Sequence, residues 1–537
     1  MIWPMREQPV LWRCQFIQTV LIHTTTHPTT HPFPVGQSNP PNAHKMPLAL
    51  TTSHSLPAHV FKNLSLILLS GVFLPISTVI FLLSLLKECI RPSPAAQLLP
   101  PEKRKTVMIS SLEMTKGQSL ARSFYLAGHR VIGIDIARGG VISSGRFSRA
   151  VETYYVVDSP VSEEDGGQQR YEDALLDIIE KENVDLWICV SDVASTIEDA
   201  VAAEKIRLET KCEVFQPLPE TCRTLHYKNL FIQHTDKIGL DIPETVCVTS
   251  RAEALQFIKA RESSGKNYIL KSIALDDDDV PCSDMTIFPC STTEESEACI
   301  SELPISTDHP WLFQEHITGH IFSTHSVVTN GQLRAFVACP SSELPMHYQG
   351  LEVYRKHSLK LQELTQRYVE SFENGCLTGQ VSFDVLISEG KDKELTLFPI
   401  ECNPRTHTAV VLFEGAPEQL CHAYLSLLEP ASERQNGASG VRYFVPNHPE
   451  AERYYWFGHD LVTLFFLPLM EGSRVVEALG EFFTHLFLWK DATFRTWDPA
   501  PFWWLYQVYW PSLFWQCLVS GTRWSRVNVS TTRIFEM

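Results

Sequence analysis

The sequence lacks several features that would place it in a common functional class. Its 14 cysteines are scattered and form no C-x-x-C pair, so the close spacing that usually builds a structural zinc site is missing and reduced thiols are expected. No long Lys/Arg run occurs and the formal net charge is −17. A nucleic-acid surface needs a basic face to neutralise phosphates, so no nucleic-acid partner is expected. There is no Walker A string (G-x-x-x-x-G-K-S/T), which argues against a P-loop enzyme. A G-x-G-x-x-G turn is missing after the first strand, where the chain reads Ser110-Ser111-Leu112-Glu113-Met114-Thr115-Lys116-Gly117. Without close-approach glycines that turn does not suit a dinucleotide pyrophosphate.

What is present is globular. The chain has 537 residues, 44% of them hydrophobic and 20% charged, enough for several cores; at ~150 residues per domain three or four units are expected. Residues 1–58 are read as a disordered tail, or an extension ahead of Met46. Residues 23–44 are rich in His, Thr and Pro and could bury little apolar surface. Residues 59–90 form a transmembrane or membrane-anchoring helix. Leu64 to Leu86 carries no charge, and at ~1.5 Å per residue it reaches ~34 Å, enough for a ~30 Å hydrocarbon core. Gly71 and Pro75 interrupt it but are tolerated in such helices. Lys45 and Lys62 precede the segment, and Lys87, Arg91, Lys103, Arg104 and Lys105 follow it. The positive-inside tendency then puts the catalytic part in the cytosol, on a single-pass or anchored membrane protein. A cleaved signal peptide fits poorly, because the apolar run is long and starts late.

Residues 104–225 read as a Rossmann-like unit. The strand Thr106–Ser110, a helix around 118–127 ended by Gly128, and the strand 129–134 make a βαβ start, with a further strand at 184–190. Residues 226–430 hold the chemistry. Lys228 opens a helix, and Lys271 ends the apolar strand 267–271, a rigid place for a point charge on phosphate. The strand from Trp311 runs through Gln314, Glu315 and Ile317 to Gly319, a polar hinge whose backbone could pair with an adenine edge. Two strands then carry Asp384 (VSFDVLI) and Glu401 with Asn403 (ELTLFPIECN). Residues i and i+2 of a strand share a face, so Glu401 and Asn403 point the same way, and an antiparallel neighbour can bring Asp384 beside them. Two carboxylates and an amide oxygen make a hard, oxygen-only set suited to Mg²⁺. Arg405, one further i+2 step along, stands where a phosphoryl group in transfer gains charge. The length of the turn leaves the strand register open.

In this order, Lys228, Ile269-Leu270-Lys271-Ser272, the Gln314-Glu315 hinge with Gly319, and Asp384 with Glu401-Cys402-Asn403-Pro404-Arg405 resemble the ATP-grasp ligases. More narrowly the chain resembles the mycosporine-glycine synthetase group, in MTKGQSLARSFYLAGHRV (114–131), SGRFS (144–148), ILKSI (269–273), Thr324-His325-Ser326, ECNPRTH (401–407) and WDPAPF (497–502). The resemblance spans roughly residues 60 to 525. It implies an α/β chain, with a Rossmann-like pre-ATP-grasp domain followed by an α+β ATP-grasp domain. It further implies that Lys228 and Lys271 bind the ATP phosphates, with Gln314, Glu315 and Ile317 around the adenine. Asp384, Glu401 and Asn403 would hold two Mg²⁺ (Mn²⁺ as a substitute), with Lys271 and Arg405 catalytic. His325 and His407 are second-substrate candidates. A small-molecule acceptor and an amino acid are the implied partners, and a homodimer is compatible.

Two departures stand out. Ile321 lies where the family commonly has an acidic ribose contact, and the lid loop carries Asp276-Asp277-Asp278-Asp279, an acidic run in a loop expected to cover polyphosphate. The implied reaction moves the γ-phosphoryl of ATP to an oxygen of an acid or enol, and an amine then displaces phosphate. In the mycosporine reading glycine joins 4-deoxygadusol. The rivals are an ATP-grasp amino-acid ligase that forms an amide, and a non-catalytic membrane-tethered nucleotide-binding protein. Residues 440–537 are expected to be an aromatic-rich helical extension, either interfacial on a bilayer or packed on the ATP unit.

Overall fold

The uncharged run near the N-terminus forms one helix, α1 (Leu56–Ile90), and the chain then enters five short strands. The computed structural model describes residues 56–536 except 93–98, 138–139, 162–165, 194, 262–263, 274–285, 342–345, 352–354, 373–376, 391, 430–443, 447–451 and 473. Both the N-terminal tail through residue 55 and the acidic lid run 276–279 lie outside the described residues.

The strands are β1 (Thr106–Ser110), β2 (Arg130–Ile136), β3 (Thr153–Val157), β4 (Leu186–Ile188) and β5 (Glu213–Phe215). They pair in parallel in the order β3-β2-β1-β4-β5, with α2 (Thr115–Leu126), α3 (Gly167–Glu182) and α4 (Thr196–Glu209) in the connections. Both faces are buried, as a parallel sheet requires. Val107 and Ile109 enter one core with Leu120 and Phe124 of α2, while Met108 enters another with Tyr171 and Leu175 of α3 and Ile206 of α4. The Rossmann-like outline read from the sequence is present. The turn after β1 is closed rather than open to a ligand. The amide of Thr115, at the start of α2, donates to the carbonyl of Ser530 at 2.9 Å. A Cβ on Gly117 would lie 2.4 Å from the carbonyl oxygen of Ser111.

After α5 (Pro219–His226) and α6 (Lys228–Lys237) come two antiparallel sheets. One has β6 (Thr245–Val248), β7 (Tyr268–Ser272), β8 (Ile287–Phe288) and β9 (Trp311–Glu315) in the order β6-β9-β7-β8. The other is built from β10 (His320–Thr329), β11 (Gln332–Pro340), β13 (Gly379–Glu389) and β14 (Leu395–Asn403), while β12 (Tyr348–Gln349) leaves it for a third sheet. The order is β11-β10-β13-β14. Its apolar face packs on Phe231 and Ile232 of α6 and on Leu361, Leu364 and Tyr368 of the helix Arg355–Glu370. Only residues 316–319 separate β9 from β10, so this short hinge joins the two sheets. At Gly319 the hinge runs close against β13, since a Cβ there would meet the carbonyl oxygen of Ile387 at 2.4 Å. This is the α/β plus α+β arrangement expected of the resemblance.

The C-terminal part is aromatic-rich and helical, and it also carries strands. β15 (Arg453–Tyr455) joins β12 and β16 (Lys490–Asp491) in the order β12-β15-β16, and β17 (Trp524–Asn528) pairs with β18 (Arg533–Glu536). It packs on the rest of the chain. Arg122 of α2 donates through Nε to Asp498 Oδ2 at 2.9 Å, Ser148 Oγ donates to the same oxygen at 2.7 Å, and the Arg149 amide donates to Oδ1 at 2.8 Å. The pair is fully buried on the Asp498 side, and such an ion pair holds only when its remaining lone pairs are satisfied. Trp456 Nε1 donates to Thr115 Oγ1 at 3.0 Å. The same unit lies along α1 over most of its length. Trp524 donates to Asn63 at 3.0 Å, Ser70 to the Tyr506 carbonyl at 2.8 Å, Trp503 to Thr78 at 3.0 Å and Lys87 to Thr496 at 3.1 Å. Away from these contacts Leu68, Val72, Val79 and Leu83 are exposed, and α1 is long and apolar enough to cross a membrane.

Candidate active site

β14 ends in Glu401-Cys402-Asn403. Alternation sends Cys402 into the core with Phe231, Tyr368 and Phe383, and leaves Glu401 and Asn403 on the other face. The register that the sequence left open is settled across β13, where Asp384 stands directly opposite Glu401 and Ser382 opposite Asn403. A bulge falls between Asp384 and Val385, a local kink that re-aims side chains at a strand position. Desolvation and the facing Glu401 carboxylate both push the Asp384 carboxyl well above its ordinary range. The Ser323 hydroxyl, which donates to Asp384 Oδ1 at 2.6 Å, and the charges of Arg405 and Lys271 act the other way. A pair of facing carboxylates with an amide beside them is a donor set for a hard cation.

The cations come from other elements. Lys271 of β7 is buried, and its Nζ donates to Gln314 Oε1 of β9 at 2.6 Å, while Gln314 Nε2 donates to Thr245 at 3.3 Å. The charge of Lys271, on one sheet, favours ionisation of Asp384, on the other. Lys228 is buried at the first turn of α6; nearby, burial lowers His226 to about 3, with Arg405 and then Lys228 adding to the effect. Arg405 differs from its expected place. β14 stops at Asn403, and the Arg405 amide turns back to the Asn403 carbonyl at 2.8 Å, so Pro404 has ended the strand. The guanidinium is nonetheless buried beside Glu401 and Asp192, and its pKa is lowered by burial while those two groups act to raise it. At the hinge the Glu315 amide is used by the Glu244 carbonyl at 2.8 Å, its carboxylate accepts from Lys266 at 3.0 Å, and the His316 amide is used by Asn267 at 2.7 Å. Ile317 follows them at the joint between the sheets, and Ile321 lies on β10 opposite Leu386.

His325 and His407 come together although 82 positions apart. The His407 amide donates to His325 Nδ1 at 3.5 Å, and His325 Nδ1 also lies 3.2 Å from Ser382 Oγ. Burial holds both rings neutral, His407 at about 3 and His325 well below its ordinary value. His407 Nδ1 accepts from the Ala409 amide at 3.1 Å, so the ring proton sits on Nε2. His325 Nε2 is buried with no partner among the described residues.

Two further residues share this neighbourhood and were not singled out in the sequence. Lys116, at the start of α2, is buried and donates to the carbonyls of Ser191 and Thr406, both at 2.9 Å. Burial, seconded by Arg405, lowers it to about 7 against the pull of Asp192 and Glu113. Arg533 of β18 pairs with Asp192 after β4. The C-terminal hairpin therefore reaches the site between the parallel sheet and the end of β14. Lys116 lies in the MTKG string, where spacing alone reads as an ordinary helix start, and nothing local marks Arg533.

No family profile matches the chain, and no curated protein does. Solved structures do. The chain is similar to an L-amino acid ligase from Bacillus licheniformis (14% identity, TM-score 0.44, 63% of this chain and 78% of that one). It is similar to a biotin carboxylase from Campylobacter jejuni (12% identity, TM-score 0.46, 61% and 72%). It is similar as well to a carboxyaminoimidazole ribonucleotide synthase from Aspergillus clavatus, complexed with ATP (17% identity, TM-score 0.43, 61% and 78%).

Proposed function

We propose that the chain is an ATP-dependent, ADP-forming carbon–nitrogen ligase of the ATP-grasp type. The observation that carries this reading is Asp384 directly opposite Glu401, with Asn403 on the same face and the charges of Arg405 and Lys271 favouring ionised Asp384. Asp384, Glu401 and Asn403 would hold the Mg²⁺ that offsets phosphate charge when ATP is bound. Lys228 and Lys271 bring fixed positive charge toward the phosphates, with Gln314 keeping Lys271 in place. The hinge from Glu315 to Ile317 borders the adenine. Arg405 presents its charge where the phosphoryl group is in transfer.

The reaction follows from those roles. An oxygen of the acceptor, an acid or an enol, attacks the γ-phosphorus of ATP and ADP leaves. The amine of an amino acid then adds to the activated carbon and phosphate departs, with the amine losing a proton. The acceptor side is bounded by Lys116, His325, His407 and Arg533. His407 offers an Nε2 donor, and Lys116 adds a buried amine held by the carbonyls of Ser191 and Thr406. The ECNPRTH and Thr324-His325-Ser326 strings favour an enolised cyclohexenone such as 4-deoxygadusol, with glycine as the amine. An amide-forming ligase would use a carboxylate instead. Hydroxylamine trapping separates these readings: a carboxylate acceptor gives a hydroxamate in the presence of ATP, and an enol acceptor gives ADP without one. Nucleotide binding with no acceptor- and amine-dependent ADP would favour the non-catalytic alternative. The exposed apolar side of α1 supports membrane attachment of the whole chain, with the catalytic part in the cytosol.

A further inference from the structure

Away from the ATP site, the sheet β12-β15-β16 gathers three side chains from three separate elements. His347 immediately precedes β12, Asp460 ends the short helix that follows β15, and His485 lies in the last turn of the helix Val475–Leu488 that leads to β16. Their ligand atoms all lie within 4.8 Å of one another. Asp460 Oδ1 is 2.9 Å from His347 Nε2, and Oδ2 is 2.7 Å from His485 Nδ1. Asp460 is fully buried and His485 nearly so, while the His347 side chain is 14% exposed, which leaves one way in. Trp489 closes the other side, its ring 4.5 Å from that of His485 and 5.5 Å from that of His347.

We propose that His347, Asp460 and His485 form a binding site for a divalent transition-metal ion of the Zn²⁺ class. Two imidazoles and one carboxylate converging inside an aromatic shell are the donor set of three-ligand zinc and related sites, in which water takes the fourth position. Metal–ligand bonds of ~2.0–2.2 Å hold ligand atoms roughly 3–3.5 Å apart, slightly wider than the two hydrogen bonds and inside the span already present. His459, next to Asp460, is also buried, and its Nε2 has no partner among the described residues. Mg²⁺ is the wrong ion for a set dominated by nitrogen, so this site is chemically distinct from the Asp384–Glu401 set.

The placement gives the ion a positioning role. Tyr348 follows His347, and its ring lies 6.1 Å from that of His407 and 5.6 Å from that of Trp456. Fixing His347 to Asp460 and His485 fixes β12, and with it the wall that Tyr348 presents to His407.

The full-length chain, stripped with a chelator and re-loaded with Zn²⁺, is desalted and its metal counted by mass spectrometry. Roughly one Zn²⁺ per chain is expected, falling to background in His347→Ala and in the near-isosteric Asp460→Asn, and unchanged in Glu401→Gln. Co²⁺ in place of Zn²⁺ should give a visible d–d spectrum with no thiolate charge-transfer band, which separates this site from binding by the cysteines. No retained metal in the wild type, retention unchanged in both variants, or a thiolate band overturns the proposal and leaves the triad as a hydrogen-bonded clamp. Should a variant fail to fold, the wild-type count and the Co²⁺ spectrum still decide.

Discussion

Asp384 and Glu401 face one another from neighbouring strands, and two like charges so placed resist ionising together. The folded chain therefore keeps a proton on Asp384 at pH values where the unfolded chain has already lost it. By linkage, stability falls as pH rises from the ordinary carboxylate range through the raised Asp384 value. A divalent cation takes the place of that proton, so its stabilising effect should grow over the same window. Mg²⁺ should raise Tm by a few °C more at pH 8 than at pH 5.5 (roughly 2–4 °C per kcal/mol for a chain unit of this size), and Asp384→Asn should flatten the difference. An equal Mg²⁺ shift at both pH values in the wild type would count against a cation between these carboxylates. Most of this was legible beforehand, because strand alternation alone puts Glu401 and Asn403 on one face. The register was not, since it depends on the turn 390–394 and on the bulge at Asp384, which the pattern of apolar residues does not encode.

At the scale of elements, the site is assembled from parts that are far apart in the chain. β7 brings Lys271, α6 brings Lys228, β13 and β14 bring the carboxylates, and α2 with β18 brings Lys116 and Arg533. Those on apolar strands could be read locally, because a polar residue that ends such a strand stands out. Lys116 and Arg533 could not, because their meaning lies in contacts with Thr406 and Asp192 across hundreds of residues. The same limit hid the group of His347, Asp460 and His485, since His347 lies 113 positions from Asp460 and no spacing rule links it to the other two. If the C-terminal hairpin borders the acceptor, Arg533→Gln should raise the acceptor KM about tenfold, the loss expected for one charged contact, and leave the KM for ATP within about twofold. Steady-state ADP release measured against each substrate checks this. An unchanged acceptor KM would return Arg533 to a purely structural pairing with Asp192.

For the whole molecule, α1 and the C-terminal unit pack against each other. Polar contacts from Asn63 to Lys87 tie them together, while exposed Leu68, Val72, Val79 and Leu83 on α1, together with Val476, Phe487, Leu488 and Val519 beyond it, leave apolar surface outward. A bilayer is the medium in which such surface costs least. The chain should stay with membranes through an alkaline carbonate wash, and its release into the supernatant would remove membrane integration from the account. The central claim, however, is chemical. Its most direct test is acceptor- and amine-dependent ADP release from Mg²⁺ and ATP by the full-length chain, set beside Glu401→Gln with its fold verified. Even outer partners of metal ligands cost 10–100-fold when removed, so loss of this ligand should lower the rate by at least ~100-fold while the wild type turns over. Equal rates in the two proteins would contradict the assignment of Glu401, and with it the ligase site built around that strand.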